Sequence, residues 1–256
     1  MKEARAKQSD FRLSKGQRTI EILRPWVLLA FYIAFAFYGI WWLAVPAALA
    51  TCLAAFVQLH DSIHNALGLS KKGHGRLLTL SALLLLKSGH ALKVTHLRHH
   101  GQCLSDDDPE GEPAKWTLKQ VFLNGPYHIF ALRFASLRIA PKTRNRQLAE
   151  TAATALLLVI FIAFYLVWGS VIGLVYWAVA FVLSALMPLW ASYIPHKMAS
   201  RNPARLAGAQ AARFWTPILA SFAFHHLHHT YPKVPTALLP KAAQELPEPE
   251  DHDHFH

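Results

Sequence analysis

Two stretches of the chain carry no charged side chain: Pro25–Leu59, 35 residues, and Thr151–Pro195, 45 residues. A membrane-spanning helix needs about 20 apolar residues. At about 1.5 Å per residue, a single helix through even the shorter run would be about 52 Å long, against a hydrocarbon core of about 30 Å. Each run is therefore expected to form two spans joined by a tight turn. Pro46 in the first run and Gly169-Ser170 in the second are where the chain is expected to reverse. The predicted spans are 26–43, 46–61, 152–168 and 171–190. A further apolar stretch, Leu77–Leu86, is too short to cross and is expected at the interface or in a cytoplasmic core.

Charge sets the expected orientation. The 256 residues include 26 Lys+Arg against 15 Asp+Glu, a net charge of +11, with only 16% charged. Such a balance suits nucleic acid or a membrane surface, and position decides between them. Seven basic residues lie in 1–24, thirteen in 62–150 and six in 197–256, while the two expected turns hold none. The positive-inside rule then places all three basic segments, and both termini, in the cytoplasm. Nucleic acid is not expected as a partner, and neither is a cleavable signal peptide, since 24 polar residues precede the first run. Cys52 lies in an apolar run and Cys103 beside charges, so a structural disulfide is not expected. Residues 1–240 read as one domain, and the polar, Pro-containing stretch 241–256 as a disordered tail whose His252, His254 and His256 form no site.

All 16 histidines fall on the side assigned to the cytoplasm, and three clusters stand out: His60-Asp61-Ser62-Ile63-His64, His96-Leu97-Arg98-His99-His100 and His225-His226-Leu227-His228-His229. On a helix, residues i, i+3 and i+4 share a face. His60 and His64 therefore point together, as do His96, His99 and His100, and His225, His228 and His229; His226 is about 100° away. Eight imidazoles, suited to iron, zinc or copper, exceed the needs of one metal ion and suggest a two-metal centre. An HxxxH pair is a weak signal, whereas two HxxHH boxes would arise by chance with a probability of only about 0.002 in a chain of this composition. His74, His90 and His128 stand singly and are expected to be structural or exposed. Asp61 is either an acceptor for the second N–H of a ligand imidazole or a helix-end carboxylate. Asp106, Asp107, Asp108 and Glu110 read as a solvated turn, with Asp108 or a neighbour as an alternative imidazole partner.

The boxes HDSIH at 60–64, HLRHH at 96–100 followed by DDDPEG, and HHLHHTYPKVPTALLP at 225–240 resemble those of the membrane fatty acid desaturase superfamily, over about Pro25–Pro240. That superfamily includes acyl-lipid desaturases, hydroxylases, and carotenoid ketolases and hydroxylases. The resemblance implies an all-α membrane protein: four transmembrane helices as two hairpins, under a cytoplasmic helical cap that holds a di-iron site. It also implies a lone ligand between the last span and the third box, which here is His196 in Tyr193-Ile194-Pro195-His196. The implied iron ligands are then His60, His64, His96, His99, His100, His196, His225, His228 and His229.

The implied chemistry is O2-dependent oxidation of a C–H bond in a lipophilic substrate entering from the bilayer, by a fatty acyl desaturase or hydroxylase using two iron ions. The chain has no cysteine cluster for an iron–sulfur centre and no room for a haem or flavin domain. A ferredoxin- or cytochrome-type donor with its reductase is therefore expected to deliver electrons at the basic face. A carotenoid ketolase or hydroxylase is the alternative: HHxHH and YIPHK resemble ketolases, but HDSIHN in the first box and Thr236-Ala237 after Val234-Pro235 depart from them. A histidine-rich metal transporter or sensor is a distant rival, because transport sites sit near the bilayer midplane and these boxes sit at span ends. Carboxylate di-iron bundles and zincins need ExxH or HExxH, and neither motif occurs.

Overall fold

The computed structural model describes residues 8–197 and 224–246, and helices are the only regular elements among them. Helix α1, Lys15–Phe37, starts at a capping box in which the Ser14 hydroxyl accepts from the Gln17 N–H and the Gln17 side chain accepts in return from the Ser14 N–H. It runs through the charged segment before the apolar run, where Arg24 donates twice to the Glu21 carboxylate one turn back. Helix α2 covers Trp41–Ile63. The first hairpin thus turns at residues 38–40, not at Pro46. Gly39 adopts φ +72, a left-handed conformation that costs glycine little, and this makes it the breaker. Pro46 stays inside α2, as proline can within a membrane helix whose freed backbone groups are satisfied by neighbours.

After α2, helices α3 (Lys71–Leu84) and α4 (Gly89–Gln102) meet at 106°. Ser88 caps α4 by accepting from the Ala91 N–H. Leu77, Leu78, Ala82, Leu84 and Leu85 of the short apolar stretch are buried. Helix α5 (Leu118–Ile139) leads to α6 (Arg144–Trp168), which ends at Gly169 with φ +67, the turn expected from the sequence. Helix α7 (Ile172–Ala185) is followed by a wider, π-helical stretch at Pro188–Tyr193 and by α8, Ile194–Lys197, with a bend of 41°. Pro188 cannot donate to the helical ladder, which accounts for the break inside the predicted span 171–190. Two short helices close the described chain, α9 (His225–Thr230) and α10 (Leu239–Glu245). Helix α10 crosses the composition-based boundary at residue 240, and Ala242 and Leu246 are buried in a cluster with Phe11 and Leu239. His252, His254 and His256 lie outside the described residues.

Among the described residues, three helices, α1, α2 and α6 with its leading turn, are long and apolar enough to cross a membrane, or up to five spans if each bent pair counts as one. Leu156, Val159, Phe164, Leu166, Val167 and Trp168 of α6 are all exposed, as suits a helix surrounded by lipid. Small residues of α2 (Ala44, Ala48, Cys52 and Ala55) are fully buried where α1, α3 and α7 close around it. The Tyr32 hydroxyl donates to the Ile172 carbonyl, and the Tyr176 hydroxyl to that of Leu84 at 2.7 Å. Helices α5 and α7 approach at Gly125, where a Cβ would stand 2.1 Å from the Ala185 carbonyl oxygen. Both contacts are backbone, so Gly125→Ala should cost about 1–3 kcal/mol. Gly75→Ala, with nothing within 4 Å, should be neutral or slightly stabilising. Thermal unfolding in micelles checks this, and equal midpoints for the two variants would refute it.

Candidate metal centre

Four segments converge on one cluster. Helix α2 brings His60 in its last turn and His64 as its C-cap; α4 brings His96, His99 and His100; α8 brings His196; and α9 brings His225, His228 and His229. All nine imidazoles expected as ligands therefore come together, and they divide into two neighbouring groups. In the first, His60, His64, His96, His100 and His228 each offer a ring nitrogen, and these donor atoms all lie within 4.8 Å of one another. The second holds His99, His196 and His229 with the sulfur of Cys103 on the same criterion. His225 adjoins it, with its Nε2 3.0 Å from the Nε2 of His196. Sequence neighbours His99 and His100, like His228 and His229, split between the groups and so tie them side by side.

The spacing between nitrogens fits metal ions. Nε2–Nε2 separations are 2.9 Å for His64–His96, 3.1 Å for His100–His228 and 3.3 Å for His99–His196. Two imidazoles at about 2.1 Å from one ion are about 3.0 Å apart in an octahedral edge and about 3.4 Å in a tetrahedral one. The outer nitrogens support the same reading. His96 Nδ1 is 2.8 Å from Glu110 Oε1 and His99 Nδ1 is 2.7 Å from Asp108 Oδ2. Each carboxylate selects the Nδ1–H tautomer and turns the Nε2 lone pair inward. His229 Nε2 is buried with no hydrogen-bond partner among the described residues, which suits a metal-donor atom.

Asp108 and Glu110 are buried, so the turn they occupy is not the solvated one the sequence suggested; only Asp106 and Asp107 are exposed, beside Lys115 and Arg98. The Asp108 carboxylate also accepts from the N–H groups of Leu104, Glu110 and Gly111, and a Cβ on Gly111 would sit 2.2 Å from Oδ2. Burial drives the Asp108 carboxyl upward, but His99 and the Gly111 and Leu104 N–H groups bring it below its ordinary value; burial pushes His99 down, and Asp108 and Glu110 outweigh it and hold His99 above its own. Asp61 plays a different part. Its oxygens accept from the N–H and hydroxyl of Thr236, and His60 Nδ1 lies 3.6 Å away without a hydrogen bond.

The single histidines stand apart: His74 contacts the Ser70 carbonyl, His90 pairs with Glu150 at 2.7 Å, and His128 lies against the Trp116 ring. Sequence reasoning had an imidazole partner in Asp108 or a neighbour only as the alternative, and it missed Thr236 and Cys103. Cys103, four residues after His99, was within reach of the same helical-face rule.

Burial, reinforced by neighbouring imidazoles, pushes His225, His228 and His229 well below their ordinary range and His100 down to about 3. Unfolding lets these rings take protons below about pH 6.5. The unfolded chain then binds more protons than the folded one, so metal-free stability is lost as pH falls through that value; His99, and Glu110 whose carboxyl burial pushes up, oppose the trend. The thermal midpoint of chelator-treated protein should drop between about pH 7 and pH 5, and a flat profile would refute the reading.

Among known families, the model described as "Fatty acid desaturase" matches residues 40–256. No curated protein and no solved structure gives a significant match. The matched region contains all three histidine boxes and covers most of the chain. The chain belongs to the fatty acid desaturase family.

Proposed function

We propose that this protein is a membrane-bound di-iron oxidoreductase that acts on C–H bonds of a membrane-soluble lipid, as a fatty acyl desaturase or hydroxylase. The observation that carries this reading is the pair of adjacent donor groups, which bring together nine imidazoles and the Cys103 sulfur and include no carboxylate. Two irons held there would supply the O2-derived oxidising power that such a reaction needs. The residues supply the rest: Asp108 and Glu110 orient His99 and His96, and His60, His64, His96, His99 and His228 are buried. Phe56, Leu85, Leu92, Leu183, Met187 and Trp190, with Lys87 and Ser184, line a small cleft of about 10 Å³, and the Phe56 and His60 ring centroids are 6.2 Å apart.

In this reading α1, α2, α6 and the bent α7–α8 pair are the four spans, and α3–α4, bent by 106°, caps them from the cytoplasm. Both termini are cytoplasmic, and a ferredoxin- or cytochrome-type donor docks on the basic face. The carotenoid ketolase alternative rests on the HHxHH and YIPHK segments.

Metal analysis of purified protein tests the class. The expected result is two irons per chain with reductase-dependent O2 uptake; zinc without uptake would sink the proposal and favour a transporter or sensor. His99→Ala should abolish turnover while leaving membrane insertion intact, and retained turnover would remove His99 from the ligand set. Mass spectrometry of lipids and pigments from a host expressing wild type or His99→Ala identifies the substrate.

A further inference from the structure

The two donor groups are unequal if only histidines are counted, five in the first and four in the second. We infer that Cys103 is the fifth donor of the second site, a thiolate ligand to one of the two metal ions; this rests on the di-iron reading above. The Cys103 sulfur and one ring nitrogen each of His99, His196 and His229 lie within 4.8 Å of one another. On one metal ion, a thiolate at about 2.3 Å and an imidazole at about 2.1 Å can be no more than about 4.4 Å apart. Only one nitrogen can stand opposite the sulfur, and the others close to about 3.1–3.6 Å from it around a shared ion. Within the group, the buried Nε2 of His229 has no hydrogen-bond partner among the described residues, and an ion shared with the sulfur would satisfy it.

Local structure points the sulfur into the site. Cys103 caps α4 at its C-terminus, four residues beyond His99 and on the same face. The chain then turns through Leu104 at φ +58, a left-handed conformation costing a non-glycine residue about 1–2 kcal/mol. Asp108 holds that turn by accepting the Leu104 N–H on Oδ2, the oxygen that also faces His99 Nδ1. One carboxylate therefore positions both the imidazole and the thiol. No disulfide competes for the sulfur, since Cys52 and Cys103 are both free.

Metal binding converts the Cys103 thiol to a thiolate. On binding, the S–H bond breaks, the proton leaves to solvent and a sulfur lone pair forms the metal–sulfur bond, with no change in oxidation state. A thiolate on one ion alone makes the two metals inequivalent, and it lowers the reduction potential of the ion it binds relative to an all-imidazole site.

X-ray absorption on the full-length iron-loaded protein, with optical spectra of its Co(II)-substituted form, provides the test. The expected result is a sulfur scatterer at about 2.3 Å and a near-ultraviolet thiolate-to-cobalt charge-transfer band. Cys103→Ser and Cys103→Ala should lose the band, and Cys52→Ala should keep it. Wild-type protein holding two ions with a nitrogen-and-oxygen shell and no sulfur would overturn the inference and leave the di-iron reading standing. A chain that binds neither iron nor cobalt would overturn both. The wild-type sulfur signal decides the matter even if the Cys103 variants fail to fold.

Discussion

Asp108→Asn should halve the metal content, from two ions per chain to one, although the substitution changes almost no volume. The reason lies in the four partners of the carboxylate. His99 Nδ1 and the Leu104 N–H face Oδ2, while the N–H groups of Glu110 and Gly111 face Oδ1. All four are donors, and an ionised carboxylate accepts on both oxygens. An amide accepts on one only, so either orientation of the asparagine side chain sets its NH2 group against two buried N–H groups. Each donor left unpaired costs about 1–3 kcal/mol, which puts the total at about 2–6 kcal/mol. Losing the partner of a ligand imidazole also weakens metal binding by about 10–100-fold. His99 belongs to the second donor group only, so the first should keep its ion.

Glu110→Gln makes an informative comparison. Its Oε1 serves His96, but Oε2 has no hydrogen-bond partner, so glutamine can keep its oxygen on the ring and put its NH2 where nothing is displaced. Its effect should be smaller by about tenfold in metal affinity. Metal analysis and thermal unfolding of the two variants settle the comparison; Asp108→Asn with two ions and a wild-type midpoint would refute it.

What could be read from the sequence depended on how locally each feature is encoded. Helical spacing put His96, His99 and His100 on one face, and His225, His228 and His229 on another, because a 3.6-residue period needs only neighbouring residues. It could not show that adjacent rings such as His99 and His100 serve different donor groups, since that depends on where α8 and α9 pack. His196 carries no spacing signal and was reached only through the family resemblance. The charge-free runs announced the apolar helices, yet their turns follow backbone chemistry: Gly39 and Gly169 adopt positive φ, whereas Pro46 is accommodated inside α2. Asp108 and Glu110 looked solvated because three acidic residues precede a proline and a glutamate; in the fold this turn folds back on α4 and buries two of its carboxylates. The pairing of Asp61 with Thr236 spans 175 residues, and no local pattern could have announced it.

That long-range pair carries the other large effect. Asp61 and Thr236 are 3% and 0% exposed, and the Asp61 carboxylate accepts both the Thr236 N–H and its hydroxyl. It joins the end of α2, which bears His60 and His64, to the segment just after α9. Asp61→Ala should leave two buried donors unpaired, each having lost a charge-assisted hydrogen bond worth about 1.5–3 kcal/mol, about 3–6 kcal/mol in all. The consequence for metal is wider than that of Asp108→Asn. Helix α9 supplies His228 to the first donor group and His229, with the adjoining His225, to the second, so a displaced α9 strips both. Asp61→Ala should therefore hold no ion where Asp108→Asn holds one. Adding Thr236→Ala to Asp61→Ala should cost little more than Asp61→Ala alone, because the two side chains form one interaction. A double variant whose losses simply sum, or Asp61→Ala protein that still binds two ions, would show that the third histidine box is anchored by something other than this pair.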